Sequence, residues 1–168
     1  MSVALPIVLV GLPGAGKSTV GRVLAHRLST AHIDTDDLIV QREGRSIAEI
    51  FTDGEAAFRA LEVHAVADAL REEAVVSLGG GAAASEAVRE LLLGHTVVYI
   101  DAPHDELVRR TASKTHRPLL ADGPSEALFR LRRQREHHYR AVATFVVPTG
   151  PGPATDVVAT IIENLEQL

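Results

Sequence analysis

At 168 residues the chain has the length of one compact domain, and its lack of cysteine excludes disulfides and thiolate metal sites. A net charge of −5 argues against a nucleic-acid partner, and no stretch is long and apolar enough to span a membrane. The apolar 46% is mostly Ala, Val, Leu and Ile, a mix that suits buried strands covered by helices.

Residues 6–10 form a short apolar run and read as a buried strand. No basic residues precede it and no small-residue cleavage site follows it, so it is not read as a leader peptide. It runs into Gly11-Leu12-Pro13-Gly14-Ala15-Gly16-Lys17-Ser18-Thr19, which satisfies the pattern Gly-x-x-x-x-Gly-Lys-Ser. Residues 17–28 place Val20, Val23, Leu24 and Leu28 on one helical face. A strand, a glycine loop and a helix in this order cradle phosphate. The glycines let successive N–H groups turn inward, and the helix N-terminus adds partial positive charge. Gly14, Ala15, Gly16, Lys17, Ser18 and Thr19 are therefore the expected ATP contacts, with Lys17 on the β- and γ-phosphates and the Ser18 hydroxyl on Mg²⁺.

A second strand is expected at 31–34, followed by the acidic cluster Asp34-Thr35-Asp36-Asp37. Acids beyond the carboxyl end of a strand in an open α/β sheet can face a metal or a substrate hydroxyl. One of the cluster, Asp37 or Thr35, is expected to cap the next helix instead. Ser46-x-x-Glu49 and Thr52-x-x-Glu55 both match a capping box, so helices should start at both, the second running to about 71. On that second helix Arg59 has Glu55 four before it and Glu62 three after it, a pattern equally suited to a surface ion-pair set.

A third strand at 74–78 leads into Gly79-Gly80-Gly81. Three glycines at a strand end suit a place where a ligand approaches the main chain closely. A helix at 85–93, a strand at 96–100, a helix at 105–111 and a loop over 112–123 follow. That loop is long for a compact domain and is expected to be a mobile lid. A helix at 124–140, a strand at 145–147, the Gly150-Pro151-Gly152-Pro153 turn and a helix at 154–165 complete the chain. Between 107 and 140 nine Lys or Arg face three acids, a segment of about +6 that suits a small anionic ligand. The expected fold is a single α/β domain over 1–168, a P-loop NTPase-type three-layer sandwich with a five-stranded parallel sheet.

The glycine loop gives nucleotide binding but not the reaction. No Asn-Lys-x-Asp motif of guanine-specific switches is present, and the chain is short for a motor, so a small-molecule kinase remains. From the residues alone the metal acid could be Asp34 or Asp101, since Val97-Val98-Tyr99-Ile100-Asp101 also reads as a Walker B strand.

Taken in order, these pieces resemble the shikimate kinase family over nearly the whole chain. The glycine loop, Ile33-Asp34-Thr35-Asp36, the stretch 44–51, Phe58-Arg59-Ala60-Leu61-Glu62, Ser77-Leu78-Gly79-Gly80-Gly81-Ala82, Arg117-Pro118-Leu119-Leu120 and Arg135 with Tyr139 carry the resemblance. It implies ATP-dependent phosphorylation of the 3-hydroxyl of shikimate, giving 3-phosphoshikimate in aromatic amino-acid (chorismate) biosynthesis. Lys17, Asp36 and Arg117 would be catalytic, with Arg110 along the adenine and Arg117 also touching ATP. Asp36, Arg59, Gly80, Gly81 and Arg135 would hold shikimate. Ser18 would bind Mg²⁺ directly and Asp34 through water, leaving Asp101 structural. Asp36 would need no unusual pKa. A cytoplasmic monomer is the expected setting.

The chain departs from the family at His137-His138, where members usually read Pro-Leu, and at Pro148, where an Asp is common. Its 150–153 turn lacks a basic residue near adenine. Two rival readings remain. One is a kinase of another carboxylated polyol, such as gluconate or a shikimate analogue. The other is a nucleotide-binding module without catalysis.

Overall fold

A computed structural model describes residues 2–111 and 123–168. Residues 112–122 of the expected lid over 112–123, Arg117 among them, lie outside the described residues. Five parallel strands form one sheet: β1 (Ile7–Val10), β2 (Ala31–Asp34), β3 (Ala74–Ser77), β4 (Thr96–Asp101) and β5 (Phe145–Pro148), in the order β2-β3-β1-β4-β5. The α/β architecture and strand number match the expectation, and each strand boundary agrees within one residue.

Burial explains the strand sequences. All four residues of β1, Ile-Val-Leu-Val, are buried, as are all four of β3, because helices cover both faces of a parallel sheet. The helices are α1 (Lys17–Arg27), α2 (Thr35–Glu43), α3 (Ile47–Phe51), α4 (Glu55–Ala69), α5 (Glu86–Leu92), α6 (His104–Thr111), α7 (Pro124–Val142) and α8 (Ala154–Leu165). A 3-10 turn at Ala82–Ala84 follows the triple glycine. Among the described residues no helix is long and apolar enough to cross a membrane.

Two apolar clusters hold the chain. The larger joins the sheet to α1, α5, α7 and α8, with Leu9, Leu24, Ile100, Leu128 and Ile161 fully buried. The smaller lies among α2, α3 and α4, where Ile39, Ile50, Phe58 and Ala65 pack and the Phe51 and Phe58 rings stack at 4.8 Å. Burying a side chain such as Ile50 contributes roughly 1.5–3 kcal/mol. The smaller cluster therefore needs only a few such residues to fix α4.

Two capping expectations fail for one reason each. Ser46 forms its capping box with Glu49, but Thr52 does not start α4. Thr52 stays in the right-handed helical region as the C-cap of α3, and its hydroxyl donates to the Glu49 carbonyl. An N-cap needs extended backbone, so Thr52 cannot do both. Gly54, at φ 106°, makes the entry to α4 instead. The cap of α2 is Asp34 rather than Asp37 or Thr35. Its Oδ1 accepts the N–H groups of Asp36 at 2.9 Å and Asp37 at 3.1 Å.

Candidate active site

Phosphate-binding and acidic residues meet because β1, β2 and β3 all end on the same side of the sheet. A cavity of about 820 Å³ opens there, within the usual size for small-ligand sites. Its lining includes residues 13–20 of the glycine loop and α1, together with Asp34, Asp36, Gly79, Gly80 and Arg110.

The donor half is built from main chain. Gly16 caps α1 in the left-handed region at φ 98°, and no side chain caps the helix. No acid stands in its first turn, so the leading amides and the helix dipole face the cavity uncompensated. The Lys17 ammonium curls onto the same loop, donating to Gly11 O at 2.7 Å and Leu12 O at 3.0 Å. Ser77 Oγ donates to the Lys17 carbonyl at 2.8 Å and meets His32 Nε2 at 2.9 Å, which ties α1 to β2 and β3. Arg110 reaches the loop from α6. It donates to Gly14 O, Ala15 O and, at 2.7 Å, to Gly150 O, while Glu106 holds its Nε at 2.9 Å. Arg110 thus spans the phosphate loop and the 150–153 turn, and Gly152 and Val157 of that region also line the cavity.

Ser18 Oγ donates to Asp34 Oδ2, so the two groups matched to a metal share one spot. Asp34 Oδ1 is committed to the α2 amides, which fixes the carboxylate and leaves Oδ2 toward Ser18. A hydroxyl and one carboxylate oxygen are the hard donors that suit Mg²⁺, an ion that keeps several waters and leans on nucleotide phosphates. Among the described residues no group of three His, Cys, Asp or Glu forms a protein cage, so the donor set fits an ion brought with the nucleotide. Asp101 is elsewhere. It accepts Arg132 Nη1 at 3.0 Å and the Tyr99 hydroxyl at 3.3 Å, and it does not line the cavity.

The residues expected to hold the acceptor are side chains that converge on the triple glycine. A methyl group at Gly79 would stand 2.5 Å from Asp36 Oδ1, at Gly80 3.4 Å from Arg135 Nη1, and at Gly81 2.5 Å from Arg59 Nη2. Asp36, Arg135 and Arg59 come from α2, α7 and α4; at Gly79 and Gly81 a side chain would collide with Asp36 and Arg59, while at Gly80 it would crowd the Pro13 ring at 3.0 Å. Thr35, fully buried, accepts the Gly79 N–H at 3.2 Å and holds the strand end to α2.

Charge in this half is tightly coupled. Among the described residues Asp36 Oδ1 is buried without a hydrogen-bond partner. Burial first, then the Asp34 charge, pushes the Asp36 carboxyl above its ordinary 3.8, against the pull of Lys17 and Arg59. The expected role did not require such a shift; the buried setting of Asp36 supplies it. The Arg59–Glu62 pair at 2.7 Å is not a surface pair, because Glu62 is 1% exposed; only the Glu55 partner, at 3.3 Å, faces solvent. Burial raises Glu62 to about 6 despite Arg59. Glu62 and Thr35 were not among the expected site residues, since a helical i,i+3 pair and a cap-like Thr have no signature of burial. His137 and His138, whose rings should diverge on a helix, instead approach to 3.9 Å at 41°.

A family model described as shikimate kinase matches residues 13–166. A shikimate kinase of Corynebacterium efficiens is 49% identical over 162 residues, covering 95% of this chain and 96% of that protein. One from Mycobacterium avium is 51% identical over 162 residues, covering 94% and 92%. The solved structure of shikimate kinase from Acinetobacter baumannii in complex with shikimate superposes with a TM-score of 0.92 at 36% identity, covering 96% of this chain and 92% of that one. A gluconokinase from Sinorhizobium meliloti, 20% identical with a TM-score of 0.63, shares the fold. The chain belongs to the shikimate kinase family.

Proposed function

We propose that this enzyme transfers the γ-phosphoryl group of ATP to the 3-hydroxyl of shikimate, giving ADP and 3-phosphoshikimate on the route to aromatic amino acids. The observation that carries the reading is the glycine wall, where one carboxylate and two guanidinium groups abut three consecutive glycines. A carboxylate beside two forks fits a substrate with hydroxyls at one end and a carboxylate at the other.

In this reading Arg59 and Arg135 clamp the shikimate carboxylate, while Gly80 and Gly81 offer backbone contacts. Asp36 holds the acceptor hydroxyl and takes its proton as the new O–P bond forms. The bond from the γ-phosphorus to the ADP oxygen breaks, and the charge that leaves with ADP stays among the loop amides. Lys17 turns from the loop carbonyls to the β- and γ-phosphates, and Arg117 adds a second positive charge. Mg²⁺, held by Ser18 and through water by Asp34, supplies charge neutralisation to the phosphates. Phosphoryl transfer needs such positioning and neutralisation more than covalent help. Arg110, already at the 150–153 turn, offers its face to adenine. The same reading places the enzyme in the cytoplasm as a monomer, without nucleic-acid or membrane partners.

Release of ADP from Mg²⁺-ATP tests it with shikimate, quinate and gluconate in parallel. Turnover with shikimate, exceeding both others, is expected. Gluconate-dependent turnover alone would favour a different polyol, and no acceptor-dependent turnover would leave a nucleotide-binding module.

A further inference from the structure

The triple glycine has a support behind it, which also hydrogen-bonds the Arg135 guanidinium. Tyr139 sits on α7 one turn after Arg135 and is 1% exposed. Its hydroxyl donates to the carbonyl oxygen of Gly80. Its ring tilts against Tyr99 with centroids 5.2 Å apart, and Tyr99 is anchored through Asp101 to Arg132. The phenol is therefore held from β4 and α7 together. Burial pushes it up to about 12, so it stays a donor throughout the neutral range.

A trans peptide directs its C=O and the next N–H to opposite sides. With Gly80 O drawn to α7, the Gly81 N–H turns away from α7. Two adjacent glycines place little restriction of their own on that plane. Among the described residues neither the Gly80 nor the Gly81 N–H donates to a protein acceptor, whereas Gly79 N–H is taken by Thr35 and Ala82 N–H by Gly79 O. The neighbouring amides are satisfied and these two are kept for something else.

We propose that Tyr139 is a positioning residue of the acceptor half, fixing the Gly80–Gly81 peptide plane so that the glycine amides meet an oxygen of the acceptor substrate. The inference rests on the assignment of that half to shikimate. Its contribution is to acceptor affinity, not to the nucleotide or to the chemical step.

Tyr139→Phe removes one hydroxyl and keeps the packed ring. With Mg²⁺-ATP it is expected to raise the KM for shikimate about tenfold, as for a lost buried hydrogen bond, with kcat and the KM for ATP within about twofold of wild type. Tyr99→Phe keeps the ring packed on Tyr139 and loses only the hydroxyl bond to Asp101, so it is expected to raise the shikimate KM less than Tyr139→Phe does. An unmoved shikimate KM in Tyr139→Phe, or an equal rise in both KM values, would overturn the inference alone. Absence of shikimate turnover in the wild type would overturn the acceptor assignment and the inference with it. A ¹H–¹⁵N titration of the wild type gives a readout independent of any variant's folding. The Gly80 or Gly81 amide should shift on shikimate addition, and two unmoved glycine amides would contradict the role.

Discussion

The two halves of the site are made from different material. In the proposed reading the donor half is a continuous stretch, residues 11–19, whose working groups are main-chain amides at an uncapped helix start. In the same proposed reading the acceptor half is assembled from α2, α4, α7 and the end of β3, and ionic side chains there join the Gly80 and Gly81 amides. Glycine serves both, but oppositely. At Gly11 (φ 155°) a methyl group would stand 2.6 Å from the Ile100 carbonyl oxygen, which is backbone and cannot yield. At Gly81 the obstacle is the tip of the flexible Arg59 side chain. Changes in the donor half should therefore damage the fold, and changes in the acceptor half should damage recognition.

Asp36→Asn gives the largest expected effect. It should lower kcat about 10²–10⁴-fold, the range for a lost general base, while nucleotide titration shows near-normal ATP binding. The melting temperature should not fall, because the lost charge is one that burial already disfavours. Equal loss of ATP binding would place Asp36 in the donor half. Gly11→Ala should behave differently, costing about 2–3 kcal/mol of stability and reducing ATP binding together. Chemical denaturation reads the first, and a variant as stable as wild type would break the contrast.

The smallest effect is a pH dependence. Glu62 rises from 4.5 unfolded to about 6 folded, so its contribution to stability is fully present below 4.5 and is lost as pH climbs through 6. Relative to Glu62→Gln, which does not titrate, the wild type should lose about 2 kcal/mol between pH 4.5 and 7.5. Urea unfolding across that window checks the sign, and a difference that is flat or opposite would show that Glu62 is not held against its charge.

The same division decided what the sequence could reveal. The glycine loop is local, and each residue's role follows from spacing and from the strand before it. The five strands were equally legible as short aliphatic runs ending in turn residues. Asp34 was harder, because one carboxylate serves both as the cap of α2 and as the partner of Ser18, and a sequence offers three acids for those jobs. Thr52 misled because its motif is local while its backbone is claimed by α3. The acceptor half was named through resemblance, but its physical basis was hidden. Nothing in the spacing shows that Glu62 is buried, that Thr35 binds Gly79, or that Gly79 and Gly81 make room for Asp36 and Arg59.

The separability of the two halves is tested most directly by measuring both dissociation constants, for shikimate and for ATP, on Gly81→Ala. The three atoms nearest a new methyl group there all belong to the Arg59 guanidinium, so shikimate affinity should fall about tenfold or more while ATP affinity stays as in wild type. Parallel loss of both affinities, or no loss of either, would contradict a site divided into separable donor and acceptor halves.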